Sequence, residues 1–440
     1  METIFATATA PIKSGVAIIR ISGDDAYACY KAMVGDKPIK PRQAALRKLN
    51  NPINGEMIDE AVVLWFPAPA SFTGENTIEF HTHGSRAVID EVMEVLSGLD
   101  NYRLAEPGEF SKRGFDSGKM DLTEAEGLAD LIDAETKIQA RQAMMQKQGA
   151  LKDLYDKWRR QLISVLANIE AYIDFPDEDI PESASAAAIE SVEDLKKDIT
   201  KHLNDNRRGE KLRLGLQVVI AGAPNVGKSS LLNMLAQRDV AIVSDIAGTT
   251  RDIIEVHLNL NGYPVILADT AGLREDAEVI EKEGINRAKA RLESADVRVF
   301  MFDAENIANE DFSIITDDAL VVVNKIDKAG GATLPDEIAK YNPLLISVNE
   351  KKGVDSLIKK LEELAKEHME IGSDPVITRD RHRFFLKNTI KALEQFDMRL
   401  PPELAAENLR QAATCLGRIT GHIDVEDILD DIFSNFCIGK

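Results

Sequence analysis

Residues 222–229 carry the clearest chemical signal in the sequence. They read Gly-Ala-Pro-Asn-Val-Gly-Lys-Ser, which matches the pattern Gly-x-x-x-x-Gly-Lys-Ser/Thr between an apolar run and a segment with helical spacing. In such a loop, backbone N–H groups wrap phosphate oxygens at a helix N-terminus, Lys228 neutralises the outer phosphates and Ser229 offers an oxygen to Mg²⁺. The segment predicts a nucleoside triphosphate site in which Lys228 is also a catalytic candidate. The predicted contacts are Asn225, Val226, Gly227, Lys228, Ser229 and Ser230.

Two further motifs indicate a metal ligand and the identity of the base. Asp269 opens an Asp-x-x-Gly motif after a predicted strand, where its carboxylate can reach the metal while the Gly272 N–H meets the γ-phosphate. Asp327 closes an Asn-Lys-x-Asp motif, and its carboxylate can accept both donors on the Watson–Crick edge of guanine, whereas adenine presents an acceptor there. The sequence therefore predicts GTP. The contacts predicted in these motifs, and in a third segment that meets the base through backbone N–H groups, are Asp269, Thr270, Ala271, Gly272, Asn324, Lys325, Asp327, Ser347, Val348 and Asn349.

A largely parallel sheet is needed to position these motifs. Apolar runs alternate with helical segments from about residue 214, and the predicted strands are residues 217–221, 264–268, 297–302, 320–323 and 344–347. The first 118 residues instead mix turns with strand-like runs at residues 15–22, 61–66 and 76–80. These patterns predict an N-terminal α+β domain and a separate α/β unit.

Helical patterns flank the α/β unit on both sides. Thr123 and Glu126 are predicted to form a capping box, and an apolar stripe from Leu151 to Ile169 predicts a long helix. An acidic link at 177–185 precedes a helix over about 188–203, and helices resume after about residue 367, ending in an acidic amphipathic segment at 424–436. We predict that the terminal helices pack on those of 123–205, which makes the α/β unit an insertion.

The order of the nucleotide motifs resembles that of the translation-factor-related GTPases. Ras-like members place a glutamine directly after Asp-x-x-Gly to orient the attacking water, but this chain has Leu273, whose aliphatic side chain cannot do so. Another group must replace the glutamine. Asn225 and residues 244–252 resemble the potassium-dependent GTPases, in which K⁺ occupies the place of an arginine finger and offsets the charge that develops during transfer.

This resemblance implies a set of cation ligands. K⁺ is assigned to Asn225, Ser244, Ile246 and Thr249, Mg²⁺ to Ser229 and Thr250, and the remaining nucleotide contacts of the segment are Asp245, Ala247 and Gly248. Glu281 aligns with the glutamate that orients the water through a bridging water, so it is a catalytic candidate. Alternatives stay open: Asn225 as a turn-stabilising residue, Glu281 as a solvated helix charge, and Arg251 or Arg274 as arginine fingers.

The whole chain resembles the bacterial tRNA modification GTPase family called MnmE or TrmE, and the ending Phe-Cys-Ile-Gly-Lys at 436–440 is part of the match. The resemblance implies a multidomain α+β and α/β fold: a folate-binding, dimerising domain at 1–118, a discontinuous helical domain at 119–211 and 369–440, and an inserted Ras-like P-loop GTPase domain at 212–368. It also implies a flavoprotein partner, MnmG, in a heterotetramer. Together they would add an aminomethyl or carboxymethylaminomethyl group to carbon 5 of the wobble uridine of certain tRNAs.

The resemblance further implies how the one-carbon unit is supplied. A tetrahydrofolate derivative, in the 5-formyl or 5,10-methylene form, would be the donor, while FAD and NADH would belong to the partner. By position, the folate contacts are Arg20, Glu79, Lys119 and Lys440, and Cys437 is a catalytic candidate near the folate. A cation and a carboxylate suit folate's anionic tail and amide-rich pterin. The alternative for Arg20 and Glu79 is an ion pair at strand ends.

Composition limits the alternatives. The chain has 440 residues with Lys+Arg 53 against Asp+Glu 74, a net charge of −21 that argues against coating nucleic acid through global charge. Bound tRNA would need local basic patches, for which the candidates are Lys37, Lys40, Arg42, Arg47 and Lys48, and Arg379, Arg381 and Arg383.

Three scattered cysteines and the lack of an apolar membrane-length run predict reduced thiols and a cytoplasmic protein without membrane contact. A competing function is an Era-like ribosome-assembly or RNA-binding GTPase switch. Those factors often carry a Gly-x-x-Gly loop after the GTPase, and no two glycines here stand three apart.

Overall fold

The computed structural model describes most of the chain as two compact units. The described residues are 2–10, 12–174, 182–238, 240–242, 255–269, 290–310, 312–313, 315–329, 334–372, 374–423, 429, 432–434 and 436–439. The first unit comprises Met1–Ala129, Gln146–Asn168 and Leu409–Lys440, and the second comprises Asp130–Met145 and Ile169–Asn408. The chain therefore crosses between units four times.

The first unit contains a six-stranded sheet. Its strands are β1 (Thr3–Thr7), β2 (Ser14–Ser22), β3 (Ala45–Asn50), β4 (Met57–Phe66), β5 (Thr77–Gly84) and β6 (Tyr102–Leu104), in the spatial order β3-β4-β5-β2-β1-β6. All pairs are antiparallel except β1 with β6. Helices α1 (Ala26–Val34) and α2 (Arg86–Ser97) bury apolar residues with the sheet in a core that includes Tyr30 and Phe80. The predicted α+β class is confirmed.

Four helices follow the sheet: α3 (Glu109–Asp116), α4 (Leu122–Asp133), α5 (Lys137–Lys147) and α6 (Ala150–Asp174). The long helix predicted from the stripe at 151–169 is confirmed as α6. The capping box predicted at Thr123 and Glu126 is wrong. Asp121 Oδ1 instead accepts the Glu124 N–H at 2.7 Å, and Glu124 Oε2 accepts the Asp121 N–H at 2.7 Å. An aspartate can cap as well as a threonine, so the reciprocal pair begins two residues earlier than predicted.

The second unit contains a largely parallel six-stranded sheet. Its strands are β7 (Leu216–Ala221), β8 (Glu255–Leu260), β9 (Tyr263–Asp269), β10 (Val297–Asp303), β11 (Leu320–Asn324) and β12 (Leu344–Leu345), in the order β12-β11-β10-β7-β9-β8. Two apolar cores, one including Val218 and Leu357 and the other including Phe302 and Val321, lie against it. Four of the predicted strands are confirmed, because buried parallel strands require largely apolar runs, and the strand predicted at 344–347 is confirmed only over Leu344–Leu345, at the edge of the sheet.

Strand β8 was not predicted. It pairs antiparallel with β9 through a two-residue turn at Asn261 and Gly262, whose φ values are +53° and +93°. Positive φ at both positions is the signature of a type I′ turn, which joins hairpin strands. The Asn-Gly dipeptide was therefore the sequence signal that could have revealed this edge strand.

The helices of the second unit are α7 (Glu182–Leu203), α8 (Arg208–Leu214), α9 (Lys228–Ala236), α10 (Asp336–Ala339), α11 (Val354–Met369) and α12 (Asp380–Glu394). Helix α13 (Pro402–Thr420) follows α12. Helix α7 begins at Glu182, so residues 182–185 are helical and the predicted acidic link was too long. Residues 177–181 and most of the predicted segment 424–436 lie outside the described residues. Within the described part of the chain, no helix is long and apolar enough to cross a bilayer.

An ion-pair cluster connects the segment that precedes the α/β sheet in sequence to the segment that follows it. Arg383 on α12 donates to Asp205 at 2.7 Å and to Glu210 on α8 at 2.9 Å. Although burial alone would raise the pKa of Glu210, hydrogen bonds from Arg383 and Arg207 hold it below its ordinary value. Arg383 also donates to the carbonyl of Leu203 at the end of α7. The two ends of the sheet-containing segment therefore meet.

Candidate functional site

The glycine-rich loop lies between β7 and α9, as its motif requires. Asn225 has φ +64° and Gly227 has φ +104°, so the loop turns through left-handed backbone conformations just before the helix begins. Gly227 also has no room for a side chain, because a Cβ there would lie 2.4 Å from Nδ2 of Asn324. Lys228 is buried, and its Nζ donates to the carbonyls of Gly222 at 2.9 Å and Ala223 at 3.0 Å. The loop is thus compact, and the side chain of its own lysine bonds two of its backbone carbonyls.

A hydroxyl and a carboxylate meet at the edge of the sheet beside this loop. Ser229 Oγ donates to Asp269 Oδ2 at 2.9 Å, because β7 and β9 are neighbouring parallel strands and Ile220 is in register with Asp269. Oxygen donors of this kind are what Mg²⁺ prefers. Ser229, the described member of the predicted Mg²⁺ pair, and the neighbouring Asp269 therefore fit a hard divalent cation. Thr250 lies outside the described residues.

Asn324 links the phosphate loop to the base-binding segment. Its side chain is 3% exposed; Nδ2 donates to the Val226 carbonyl at 2.8 Å, and Oδ1 accepts the Val348 N–H at 3.1 Å. One amide thus satisfies backbone groups on two loops that are far apart in sequence. Ser347 is fully buried and makes a reciprocal backbone pair with Lys352, which closes the second loop.

Asp303 is a site residue that the sequence analysis missed. It ends β10, is 6% exposed, and its Oδ2 lies 2.6 Å from Nζ of Lys325. Lys325 has φ +63°, so this ion pair holds a lysine that sits in an unfavourable backbone conformation inside the guanine motif. An acidic residue directly after the apolar run of β10 was the available sequence signal.

These loops surround a cleft of about 820 Å³. Asp327 is exposed within it, where its carboxylate can meet a guanine edge. The cleft brings together residues from three predicted motifs: Asn225, Gly227, Ser230, Asn324, Lys325, Asp327, Val348 and Asn349. The volume lies in the range of small-molecule sites.

Several predicted contacts lie outside the described residues. These are Ser244, Asp245, Ile246, Ala247, Gly248, Thr249, Thr250, Thr270, Ala271, Gly272, Glu281 and Lys440. Of the predicted K⁺ ligands, Asn225 is described: it is exposed, and its left-handed backbone turns it away from the ordinary extended or helical path. The K⁺ site and the water-orienting role of Glu281 stay predictions.

A second site lies in the first unit, where Arg20 and Glu79 face each other across β2 and β5. The two residues are in register, and Arg20 Nε lies 2.9 Å from Glu79 Oε1. Glu79 Oε2 lies 3.2 Å from His81 Nε2, so both carboxylate oxygens have partners. The Arg20 guanidinium carbon lies 5.8 Å from the ring centroids of Phe72 and of Phe110. The ion pair named as the alternative explanation is present, and it fixes the orientation of the cation.

The C-terminal segment runs against this ion pair. Arg20 donates to the carbonyl of Gly439 at 3.5 Å, although the residues are 419 positions apart. Ile438 pairs with Pro107 as an isolated antiparallel bridge, and the Gly108 N–H points to the Cys437 carbonyl at 3.5 Å. Cys437 is exposed. The fold therefore places the backbone of the tail beside Arg20, with the exposed Cys437 two residues before the contact at Gly439.

The other thiols differ from Cys437. Cys29 is fully buried, and burial raises its pKa to about 12; burial also raises the pKa of the half-buried Cys415. Neither supplies a thiolate readily near neutral pH. This separates Cys437 from the other two as the accessible thiol.

The structure corrects one of the predicted RNA patches. Arg379 forms an ion pair with Asp130 at 2.7 Å, and Arg383 belongs to the buried cluster with Asp205 and Glu210. Arg47, in the other patch, donates to the hydroxyl of Tyr30 and to a nearby carbonyl. Charges used in internal pairs are unavailable to phosphates, so Arg379 and Arg383 have structural roles.

Comparison with known proteins decides the family. The sequence model described as "MnmE helical domain" matches residues 122–437, and that described as "GTP-binding protein TrmE N-terminus" matches residues 3–119. The chain is 47% identical over 445 residues to the tRNA modification GTPase MnmE of Rickettsia typhi and likewise to that of Rickettsia akari, covering 100% of both chains in each case. The chain belongs to the MnmE family of tRNA modification GTPases. As a member of the MnmE family, it is an enzyme that hydrolyses GTP in tRNA modification.

Solved structures resemble parts of this MnmE-family chain. A variant of Aquifex aeolicus Era bound to GDP and AlF4⁻ is 32% identical, with 42% of this chain and 69% of that chain covered and a TM-score of 0.26. The G domain of the T. maritima FeoB iron transporter is 24% identical, covers 34% of this chain and 98% of that chain, and has a TM-score of 0.24. TM-scores of this size give no basis for a functional comparison.

Proposed function

We propose that this GTPase is activated by potassium and acts with the flavoprotein MnmG to add an aminomethyl or carboxymethylaminomethyl group to carbon 5 of the wobble uridine of certain tRNAs. A tetrahydrofolate derivative supplies the one-carbon unit. The observation that carries the proposal is the placement of the C-terminal segment with Cys437 against the Arg20–Glu79 pair. A nucleotide switch without modification chemistry would not need a tail that contacts such a pair and carries an exposed cysteine two residues from that contact.

The nucleotide half of the function rests on the cleft in the second unit. Asp327 reads guanine, Asn324 holds the two loops together, and Lys228 neutralises the phosphates. Mg²⁺, held by Ser229 and Thr250, would neutralise charge on the β- and γ-phosphates. K⁺, held by Asn225, Ser244, Ile246 and Thr249, would supply the positive charge that an arginine finger provides elsewhere.

The folate half rests on the first unit. Arg20 offers a cation that is fixed by Glu79 and by two aromatic rings, and Lys119 and Lys440 are the further cations assigned to this ligand. Folate, when bound, would supply a one-carbon unit at the oxidation level of its 5-formyl or 5,10-methylene form. Cys437 would take part in the modification reaction beside the bound folate.

The partners follow from what this chain lacks in its sequence. It contains no Gly-x-Gly-x-x-Gly fingerprint, so FAD and NADH would be bound by MnmG. We propose a homodimer that assembles with MnmG into a heterotetramer, binds tRNA and functions in the cytoplasm. GTP hydrolysis would drive a conformational cycle that is linked to the group transfer.

Mass spectrometry of tRNA nucleosides tests this function. A strain that lacks the protein should lose the modified wobble uridines and regain them with the wild-type chain. Cys415→Ser, a matched thiol substitution in α13, should restore them, whereas Cys437→Ser should not. Unchanged wobble uridines in the deletion strain would refute the proposal and favour the ribosome-assembly switch. Restoration by Cys437→Ser would refute the role of that thiol alone.

A further inference from the structure

The first unit contains a cavity whose lining residues could bind an anion. It has a volume of about 320 Å³ and lies beside the loop that follows α3. Phe72, Met120 and Leu128 give it an apolar surface, and Lys119 and Lys147 contribute two ammonium groups. Lys147 was not singled out from the sequence and belongs to no motif. The cavity pairs an apolar wall with two cations.

Close packing fixes Lys147 at this cavity. Helices α4 and α5 approach so tightly that a Cβ on Gly127 would lie 2.6 Å from the Lys147 backbone nitrogen. The neighbouring Gln146 is 2% exposed, and its Nε2 donates to the Thr123 carbonyl at 3.0 Å. The end of α5 is therefore anchored, and Lys147 extends its flexible stem from a rigid base.

Lys119 is anchored from the other side. Its N–H donates to the Gly114 carbonyl at 2.8 Å, and Ser117 Oγ donates to the Thr73 carbonyl at 2.7 Å. These bonds tie the turn after α3 to the loop that carries Phe72. The cavity is thus a built feature with two independently held walls.

Neither cavity lysine forms an ion pair with a residue that the structure describes. Among the described residues, neither the Lys119 nor the Lys147 ammonium group lies within 4.0 Å of a carboxylate, although both are exposed. Glu124 also lines the cavity, but its Oε2 accepts the Asp121 N–H and lies 4.0 Å from Lys152. The charged residues of the lining are these two lysines and Glu124, so the cavity carries a net positive charge that favours an anion.

Phe72 connects the cavity to the Arg20–Glu79 pair. Its ring lines the cavity and also lies 5.8 Å from the Arg20 guanidinium carbon. A ligand held at Arg20 can therefore continue past this ring toward Lys119 and Lys147. The ligand must then be partly apolar and end in negative charges.

We propose that this cavity binds the γ-linked glutamate tail of the folate and that Lys147 makes the enzyme prefer polyglutamylated folates. The inference rests on the proposed folate function. Lys119 would meet the first glutamate and Lys147 the added ones, each of which brings one further carboxylate. The apolar wall favours a folate tail over an RNA backbone, because it offers the aminobenzoyl group a surface that a phosphodiester chain does not need.

Direct binding to the full-length protein tests the proposal. Calorimetry with 5-formyl-tetrahydrofolate as monoglutamate and as triglutamate should show the triglutamate binding about tenfold more tightly, consistent with one or two charge-assisted contacts. Lys147→Gln should reduce that ratio to about 1–2, and Lys147→Glu should invert it, since like charges repel. Lys157→Gln, an exposed lysine of α6 outside the cavity, should keep the wild-type ratio. Added salt should reduce the ratio in the wild type.

The outcomes separate the two proposals. A wild-type ratio near one, or a ratio that Lys147→Gln leaves unchanged, overturns this inference while folate binding itself still supports the proposed function. Absence of any folate binding overturns both. If Lys147→Gln weakens the binding of tRNA and leaves the folate ratio intact, the cavity serves RNA and the inference is wrong.

Discussion

Replacing Asn324 with alanine should cost the enzyme most of its nucleotide affinity without any loss of a direct phosphate contact. The amide of Asn324 donates to the Val226 carbonyl at 2.8 Å and accepts the Val348 N–H at 3.1 Å. Alanine leaves the buried Val226 carbonyl unpaired, at a cost of about 1–3 kcal/mol, and the part-buried Val348 N–H unpaired, at a cost of about 1 kcal/mol. Together, the two unpaired groups would destabilise the packing of the phosphate loop against the base-binding loop by about 2–4 kcal/mol.

If that loss appears in binding, the dissociation constant for GDP should rise by about 30- to 700-fold, since each 1.4 kcal/mol changes affinity about tenfold. A fluorescent GDP analogue titrated into the purified protein measures this directly. Asn168→Ala, an exposed asparagine on α6 in the first unit, is the matched control and should bind as the wild type does. Circular dichroism should show that both variants retain their helical content.

The reasoning would be refuted by an Asn324→Ala protein that binds GDP within threefold of the wild type. That result would mean the two loops hold their positions without the amide. Asn324→Asp refines the test, because a carboxylate still accepts the Val348 N–H but places negative charge against the Val226 carbonyl. We expect it to bind GDP no better than the alanine variant.

Three further predictions concern the cation, the loop and a buried acid. GTP hydrolysis should be faster in KCl than in NaCl at equal ionic strength, and Asn225→Ala should remove the difference; equal wild-type rates would exclude the cation role. Gly227→Ala should abolish nucleotide binding, because its Cβ would lie 2.4 Å from Asn324 Nδ2 at φ +104°, whereas Gly372→Ala, with open space around its Cβ, should bind normally in the same titration. Burial raises the pKa of Asp121 to about 7, above its unfolded value, so its protonated form stabilises the fold at low pH and that stability is lost as pH rises from about 4 to 7. Asp121→Asn should therefore gain more in melting temperature over the wild type near pH 7.5 than near pH 4.5, and an equal gain at both would contradict this.

Sequence patterns predicted the parallel sheet well because its strands are buried on both faces. The strands must then be largely apolar, as in β11 and in residues 299–302 of β10, and such runs are visible without any knowledge of their neighbours. Strand β8 was missed because it lies at the edge of the sheet and alternates buried with more exposed residues. Its Asn-Gly turn was the local signal, and it was overlooked.

The cap of α4 shows a different limit. Asp121 and Thr123 are both good capping residues, and either could have opened the helix with an acid three residues later. The packing of the surrounding fold decides which of these two residues becomes the N-cap of α4. Sequence spacing could identify the start of α4 only to within two residues.

The sequence by itself determined the nucleotide and the base. Phosphate and guanine recognition use contiguous loops, so Gly222 to Ser229 and Asn324 to Asp327 carry their chemistry in their own spacing. Only the tertiary structure decided that Asn324 joins these loops, that Gly439 meets Arg20, and that Lys147 and Lys119 line the same cavity. Such contacts join residues far apart in the chain, and no local pattern records them, because they follow from how sheets and helices pack.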